Sequence, residues 1–188
     1  RIFAEPKVEP ATHTFSHPFF WEPEKASQRE GFTAEYGMNM AIPNYPTMNL
    51  EREIVGSRDY IQRELLPAGK QVRLIFWSGE ALPSAEAIGM AYAAGMANVN
   101  GAETFITRAN PSLTGLYPLL RPTSGGLQIY APIINENLYT NLWTGPFYGF
   151  ERVLDTFELT DSPRRLRGLN LYYHFYSGTK QASIKAMD

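Results

Sequence analysis

The sequence predicts an α/β domain built on a parallel sheet or barrel, and three observations carry that expectation. A chain of 188 residues with 44% apolar content fits one ordinary domain with a real hydrophobic core. Two apolar runs at residues 71–77 and 169–175 have strand composition, and each is followed by turn residues and a helical stretch. The clearest helix signature, opened by Pro83-Ser84 and closed by Gly95, directly follows the first of those runs. Strands that alternate with helices place a functional site at the carboxyl ends of the strands.

Taken in order, residues 7–15 carry Val8 and Ala11 but are interrupted at Pro10, just after Pro6. This predicts a short strand running out into a loop, with His13 and His17 at its carboxyl end. Residues 18–49 are aromatic and punctuated by proline and glycine, as in Phe19-Phe20-Trp21 and Ile42-Pro43-Asn44-Tyr45-Pro46. They read as a long ordered excursion, a kind that usually carries function. Residues 51–66 predict a helix with Ile54, Ile61 and Leu65 on one stripe and Pro67 and Gly69 as the stop. Residues 71–77 read as a buried strand. Ser84 predicts an N-cap, Glu86 favours a first turn, and Gly95 suits a left-handed C-terminal position. Short strands are expected from Val99 into Asn100-Gly101 and over residues 127–132, and residues 135–150 show no helix or strand period. After a turn at Asp161-Ser162-Pro163, residues 169–175 predict a strand, and Ser177-Gly178 leads into a helix from about Lys180.

Composition narrows the function. A net charge of −2, spread along the chain, offers no basic face for phosphates, so nucleic acid is not an expected partner. With no cysteine, a disulfide framework and thiolate-bound zinc are both excluded, leaving any metal to histidine and carboxylate. Aromatic residues make up 13% of the chain, including eleven Tyr, eleven Phe and three Trp. Such rings stack on pyranose faces in sugar-binding clefts, and equally well fill ordinary cores. No apolar run approaches the ~18 residues of a transmembrane helix, and no signal peptide opens the chain. The sequence begins at Arg1 and reaches its densest motif almost at once, which reads as a partial or processed piece.

That motif is His13-Thr14-Phe15-Ser16-His17, two of the three histidines in the chain, four residues apart. At a strand-to-loop exit this spacing lets both imidazoles converge on one ion. A zincin needs glutamate directly after its first histidine, and Thr14 stands there instead. A bare pair of this spacing is also compatible with two ordinary polar residues. His174 closes a second apolar strand and is followed by Tyr176-Ser177-Gly178, so it too is expected at a carboxyl end. A lone histidine there is either a hydrogen-bonded structural residue or an acid–base group.

The motif resembles the second motif of NodB-type polysaccharide deacetylases, His-Ser/Thr-x-x-His, and His174 resembles the histidine of their last motif. Longer blocks resemble the branch of that family that acts on the Pel exopolysaccharide. They are residues 8–19, Phe76-Trp77-Ser78-Gly79-Glu80, Asn100-Gly101-Ala102-Glu103-Thr104, residues 139–150 and residues 171–180. The resemblance implies a distorted (β/α) barrel, of which residues 1–188 form the C-terminal portion. It further implies one divalent ion, usually zinc, with His13 and His17 as ligands and His174 protonating the leaving amine. The substrate would be an acetylated polysaccharide of N-acetylhexosamine units in the biofilm matrix. Other exopolysaccharide secretion proteins would be partners, and the location would be periplasmic or secreted.

Two departures stand out. The family's Asp-Asp motif, which supplies the third ligand and the general base, lies ahead of the histidine pair, and residues 1–12 contain no aspartate. The arginine motif is also absent, with Trp77-Ser78-Gly79-Glu80 at the equivalent strand end. This chain alone is therefore expected to be inactive, and as a partial barrel to leave sheet edges unpaired. Trp77 and Trp143 are candidates for stacking on sugar rings, with core packing as the alternative. Glu80 and Glu103 are candidates for bonding sugar hydroxyls, with plain surface exposure as the alternative. Arg164-Arg165 and Arg167 read as a solvated face. Two rival functions remain at this point: a non-catalytic glycan-binding module, and a domain that docks a secretion partner through residues 135–150.

Overall fold

The computed structural model describes residues 2–22, 42–101, 106–130, 137–138, 147–165, 168–179 and 181–188. They form a mixed α/β structure that divides into two compact units. One comprises Arg1–Gly101 with Leu120–Ile129, and the other Ala102–Leu119 with Tyr130–Asp188. Among the described residues no helix is long and apolar enough to cross a membrane.

The first unit is built on a four-stranded sheet. Its strands are β1 (Leu74–Phe76), β2 (Ala97–Val99), β3 (Leu120–Thr123) and β4 (Gly126–Ile129), in the order β1-β2-β4-β3. β1 pairs in parallel with β2, placing Ile75 opposite Asn98, and β2 pairs in parallel with β4 at Val99 and Ile129. β3 returns antiparallel beside β4, with Thr123 opposite Gly126. The sheet is therefore mixed rather than purely parallel. A two-residue connection explains the exception, since a crossover to a parallel strand needs many more residues.

Helix α1 (Ser57–Glu64) follows a π-helical turn at Arg52–Gly56, and helix α2 (Ala85–Ala93) links β1 to β2. α2 begins as the sequence predicts: Ser84 Oγ accepts from the Ala87 N–H at 3.1 Å, and Gly95 adopts φ +74° beyond the helix end. Ala87, Ile88 and Ala91 are its buried face, packed with Ile54, Val72, Ile75, Trp77 and Met96 into one core. Glycine is required at residue 125, where a Cβ would lie 1.7 Å from the Ala85 carbonyl oxygen and keep the β3–β4 hairpin from the start of α2.

Several predicted strands are shorter than expected. The run at residues 71–77 contributes only Leu74–Phe76. The strand predicted at residues 7–15 reduces to one parallel bridge between Thr12 and Ile75. Pro10 lacks an N–H, and Thr14 turns to φ +72°, so the ladder stops on both sides. β2 ends where a strand was expected to begin, because Asn100 takes φ +100° and leaves extended backbone. β4 starts at Gly126, one residue early, and ends at Ile129.

The second unit holds helices α3 (Gly149–Leu159) and α4 (Gln181–Met187) and a short antiparallel pair, β5 (Asn137–Leu138) and β6 (Phe147–Tyr148). The stretch at residues 135–150 thus carries regular structure at Asn137–Leu138, Phe147–Tyr148 and the start of α3. In α3, Val153 and Thr156 are buried, and Thr160, just past the helix end, continues that face. The strand predicted at residues 169–175 is absent: residues 168–174 are irregular and a 3-10 turn spans Phe175–Thr179. Leu169, Leu171, Tyr173 and Phe175 alternate as a strand would, but all four are exposed. Strand propensity without a paired and buried ladder does not hold a strand.

A two-histidine loop at the end of β1

The chain carrying His13 runs along the outer edge of β1. The Thr12 N–H donates to the Leu74 carbonyl at 2.9 Å, and the Thr12 carbonyl accepts from the Phe76 N–H at 2.8 Å. The Thr12 hydroxyl is buried and lies 2.6 Å from Ser57 Oγ of α1. His13 follows this anchor directly, and its Nδ1 lies 2.7 Å from the carbonyl oxygen of Phe76, the last residue of β1. A carbonyl only accepts, so Nδ1 carries a proton, and in the neutral ring the lone pair is on Nε2. Metal-bound histidines are commonly oriented by this kind of backbone bond.

His17 returns toward His13 through a left-handed turn. Thr14 sits at φ +72° and His17 at φ +54°, and the His17 N–H donates to Thr14 Oγ1 at 3.1 Å. Left-handed backbone costs an L-residue about 1–2 kcal/mol, more so when it is β-branched, and persists only where neighbouring contacts impose it. Here it brings the two imidazoles to a centroid separation of 4.8 Å at 75°. Two imidazoles sharing a tetrahedral ion, at metal–nitrogen distances of about 2.0–2.1 Å, have centroids about 5 Å apart. The centroid separation of the pair is of that size, and its T-shaped geometry is also that of an ordinary edge-to-face ring contact. Among the described residues no group of three or more His, Cys, Asp or Glu completes a metal site.

Glu53, in the π-helical turn, reaches this loop. Its Oε2 accepts from the Phe15 N–H at 2.9 Å and the Ser16 N–H at 2.8 Å, and its Oε1 accepts from Ser16 Oγ at 2.5 Å and from the Tyr45 hydroxyl at 2.9 Å. The residue is 0% exposed. A buried carboxylate left without donors would cost several kcal/mol, and these four bonds replace its hydration. Burial raises the Tyr45 phenol above its usual value, opposed by the Asn49 backbone bond and reinforced by Glu53, which keeps it a proton donor. The Arg52 guanidinium lies 4.1 Å from the Phe15 ring centroid and 5.0 Å from that of Tyr45, covering the clamp. Neither Glu53 nor Tyr45 stands out in the sequence. The available signal was Glu53 lying beside Ile54 and four residues before Ser57, on the edge of the helix's inner face.

Trp77 belongs to the core. It is 0% exposed, its indole N–H donates to Asn98 Oδ1 at 3.0 Å, and its ring packs edge-on to Trp21 at 4.8 Å. The stacking role expected for it is thus replaced by packing, since a ring enclosed on both faces offers none to a sugar. Glu80 is half-buried, and its backbone N–H donates to the Phe19 carbonyl at 2.9 Å. Gly79, at φ +61°, lets that contact form, because a Cβ there would meet the Phe19 backbone at 2.3 Å. Glu103 and Trp143 lie outside the described residues. His174 belongs to the second unit, where its Nε2 lies 3.1 Å from the Tyr172 hydroxyl and its carbonyl accepts from the Ser177 N–H at 2.9 Å.

No family model matches the chain, and neither the curated proteins nor the solved structures contain a match.

Proposed function

We propose that the chain belongs to a metal-dependent deacetylase of the NodB type, folded as a distorted (β/α) barrel, that removes acetyl groups from an N-acetylhexosamine exopolysaccharide. The Pel-like biofilm matrix is the proposed substrate class, with the periplasm or cell exterior as the location and other secretion proteins as partners. One observation carries this reading: His13 and His17 stand 4.8 Å apart at a strand end, with the His13 tautomer set by the Phe76 carbonyl. His13, through Nε2, and His17 would hold the ion. When bound, such an ion supplies Lewis-acid polarisation of the amide carbonyl and a more acidic water. His174 would deliver the proton to the departing amine, and its bond to Tyr172 suits that role, because a hydroxyl can accept from a protonated ring or donate to a neutral one.

The test is metal content and acetate release by the full-length protein on acetylated hexosamine oligosaccharides. Stoichiometric divalent metal that is lost in the double variant His13→Ala/His17→Ala, together with acetate release, supports the proposal. Oligosaccharide binding without metal or acetate release would instead establish the glycan-binding module.

A further inference from the structure

We propose that Glu53 is the positioning residue that holds His13 and His17 in metal-binding geometry, an inference that rests on the metal-site reading above. The helical segment grips the loop on both sides of its first histidine. Ser57 bonds the side chain of Thr12, just before His13, and Glu53, one turn earlier, bonds the backbone of Phe15 and Ser16, between the two histidines. The π-helical turn at Arg52–Gly56 adds a residue to the helical repeat at this point, and such turns commonly re-aim side chains at functional sites. Because Thr14 and His17 occupy left-handed backbone, the loop needs an outside constraint to keep that shape. The Glu53 carboxylate supplies it, and Tyr45 in turn fixes the carboxylate through Oε1. Neither residue would touch the ion; each acts through the ring positions of the histidines.

The experiment measures zinc affinity of the full-length protein by competition with a chromophoric chelator, alongside the visible spectrum of the cobalt-loaded form. Wild type should bind one equivalent, and His13→Ala should remove most of that affinity. Glu53→Ala should weaken zinc binding about 10–100-fold, the range for outer-shell partners of metal ligands, and alter the cobalt spectrum. Glu53→Gln keeps an oxygen for the Phe15 and Ser16 amides and should restore affinity to within about threefold of wild type. Tyr45→Phe, which leaves the loop bonds intact, should lose affinity in the same direction but by less than Glu53→Ala. If Glu53→Ala does not fold, Tyr45→Phe and Glu53→Gln decide the matter by the same criteria. Wild-type affinity and spectrum in folded Glu53→Ala, or in Tyr45→Phe where the alanine variant fails to fold, overturn the inference alone. Wild-type zinc binding that ignores His13→Ala, or no zinc binding at all, overturns the metal-site reading and this inference with it.

Discussion

His13 and His174 each make a ring-nitrogen hydrogen bond, but to partners of different kinds, and the difference separates two chemical capacities. His13 faces a backbone carbonyl, a pure acceptor, which fixes its proton on Nδ1. His174 faces the hydroxyl of Tyr172, which can donate or accept, so the contact survives either protonation state. The first arrangement suits a metal ligand with a constant lone pair, and the second suits a group that passes a proton. Their foundations differ as well. His13 stands beside a core of Ile54, Ile75, Trp77 and Ile88, whereas the segment leading to His174 presents Leu169, Leu171 and Tyr173 to solvent.

The largest expected effects test those foundations. Ile75→Ala should destabilise the first unit by about 2–5 kcal/mol, because it empties a fully buried site between sheet and helices. Leu171→Ala should change stability by less than about 0.5 kcal/mol, as for other exposed positions. Urea unfolding of both variants reads the contrast, and equal losses would erase it. Next in size, the double variant His13→Ala/His17→Ala should lower zinc affinity at least about 100-fold, since both nitrogen ligands are removed together. His174→Ala should leave that affinity within about twofold; a comparable loss would make His174 a ligand.

A smaller effect comes from alkaline pH. Because burial raises the Tyr45 phenol above 10.0 in the folded state, its contribution to stability is complete below pH 10.0 and disappears as the pH climbs through the raised value. Tyr45→Phe should therefore flatten the alkaline limb of the stability profile relative to wild type, as followed by urea midpoints against pH. Smallest of all is a difference in proton placement. Nitrogen-detected spectra of the imidazoles should show His13 as one tautomer across the neutral range and His174 as a mixture, and a mixed His13 would remove the basis of the comparison.

Legibility in the sequence followed local chemistry. The α2 helix was readable because Ser84 and Gly95 act on their own neighbours, and their bonding and backbone geometry are as expected. The whole of α3 went unread although Phe150, Val153, Leu154 and Phe157 recur at helical spacing, and the buried positions described in and just after it include two threonines. Thr156 enters the interior by donating to the Ile106 carbonyl and Thr160, one residue past the helix, by donating to the Thr156 carbonyl, so the buried face coincides only in part with the apolar one, and Leu154 of that stripe is exposed. At residues 169–175 the reverse holds: a strand pattern is present, without the paired ladder that makes a strand. The histidine pair was legible as a motif and was expected at the end of its own strand over residues 7–15; its place at the end of β1 comes from the single bridge of Thr12 to Ile75, which no local pattern announces. Its clamp was not legible, because Glu53 lies in a Glu51-Arg52-Glu53 run that reads as a solvated helix start. Only the loop folding back over it turns that carboxylate inward.

The central claim, that His13 and His17 form one metal half-site, is tested most directly by anomalous diffraction at the zinc edge from crystals grown with zinc. A single strong peak is expected, bound by His13 through Nε2 and by His17, with the His13 Nδ1 still bonded to the Phe76 carbonyl. A map without a peak at this loop, or a peak held by His13 through Nδ1, would contradict that claim.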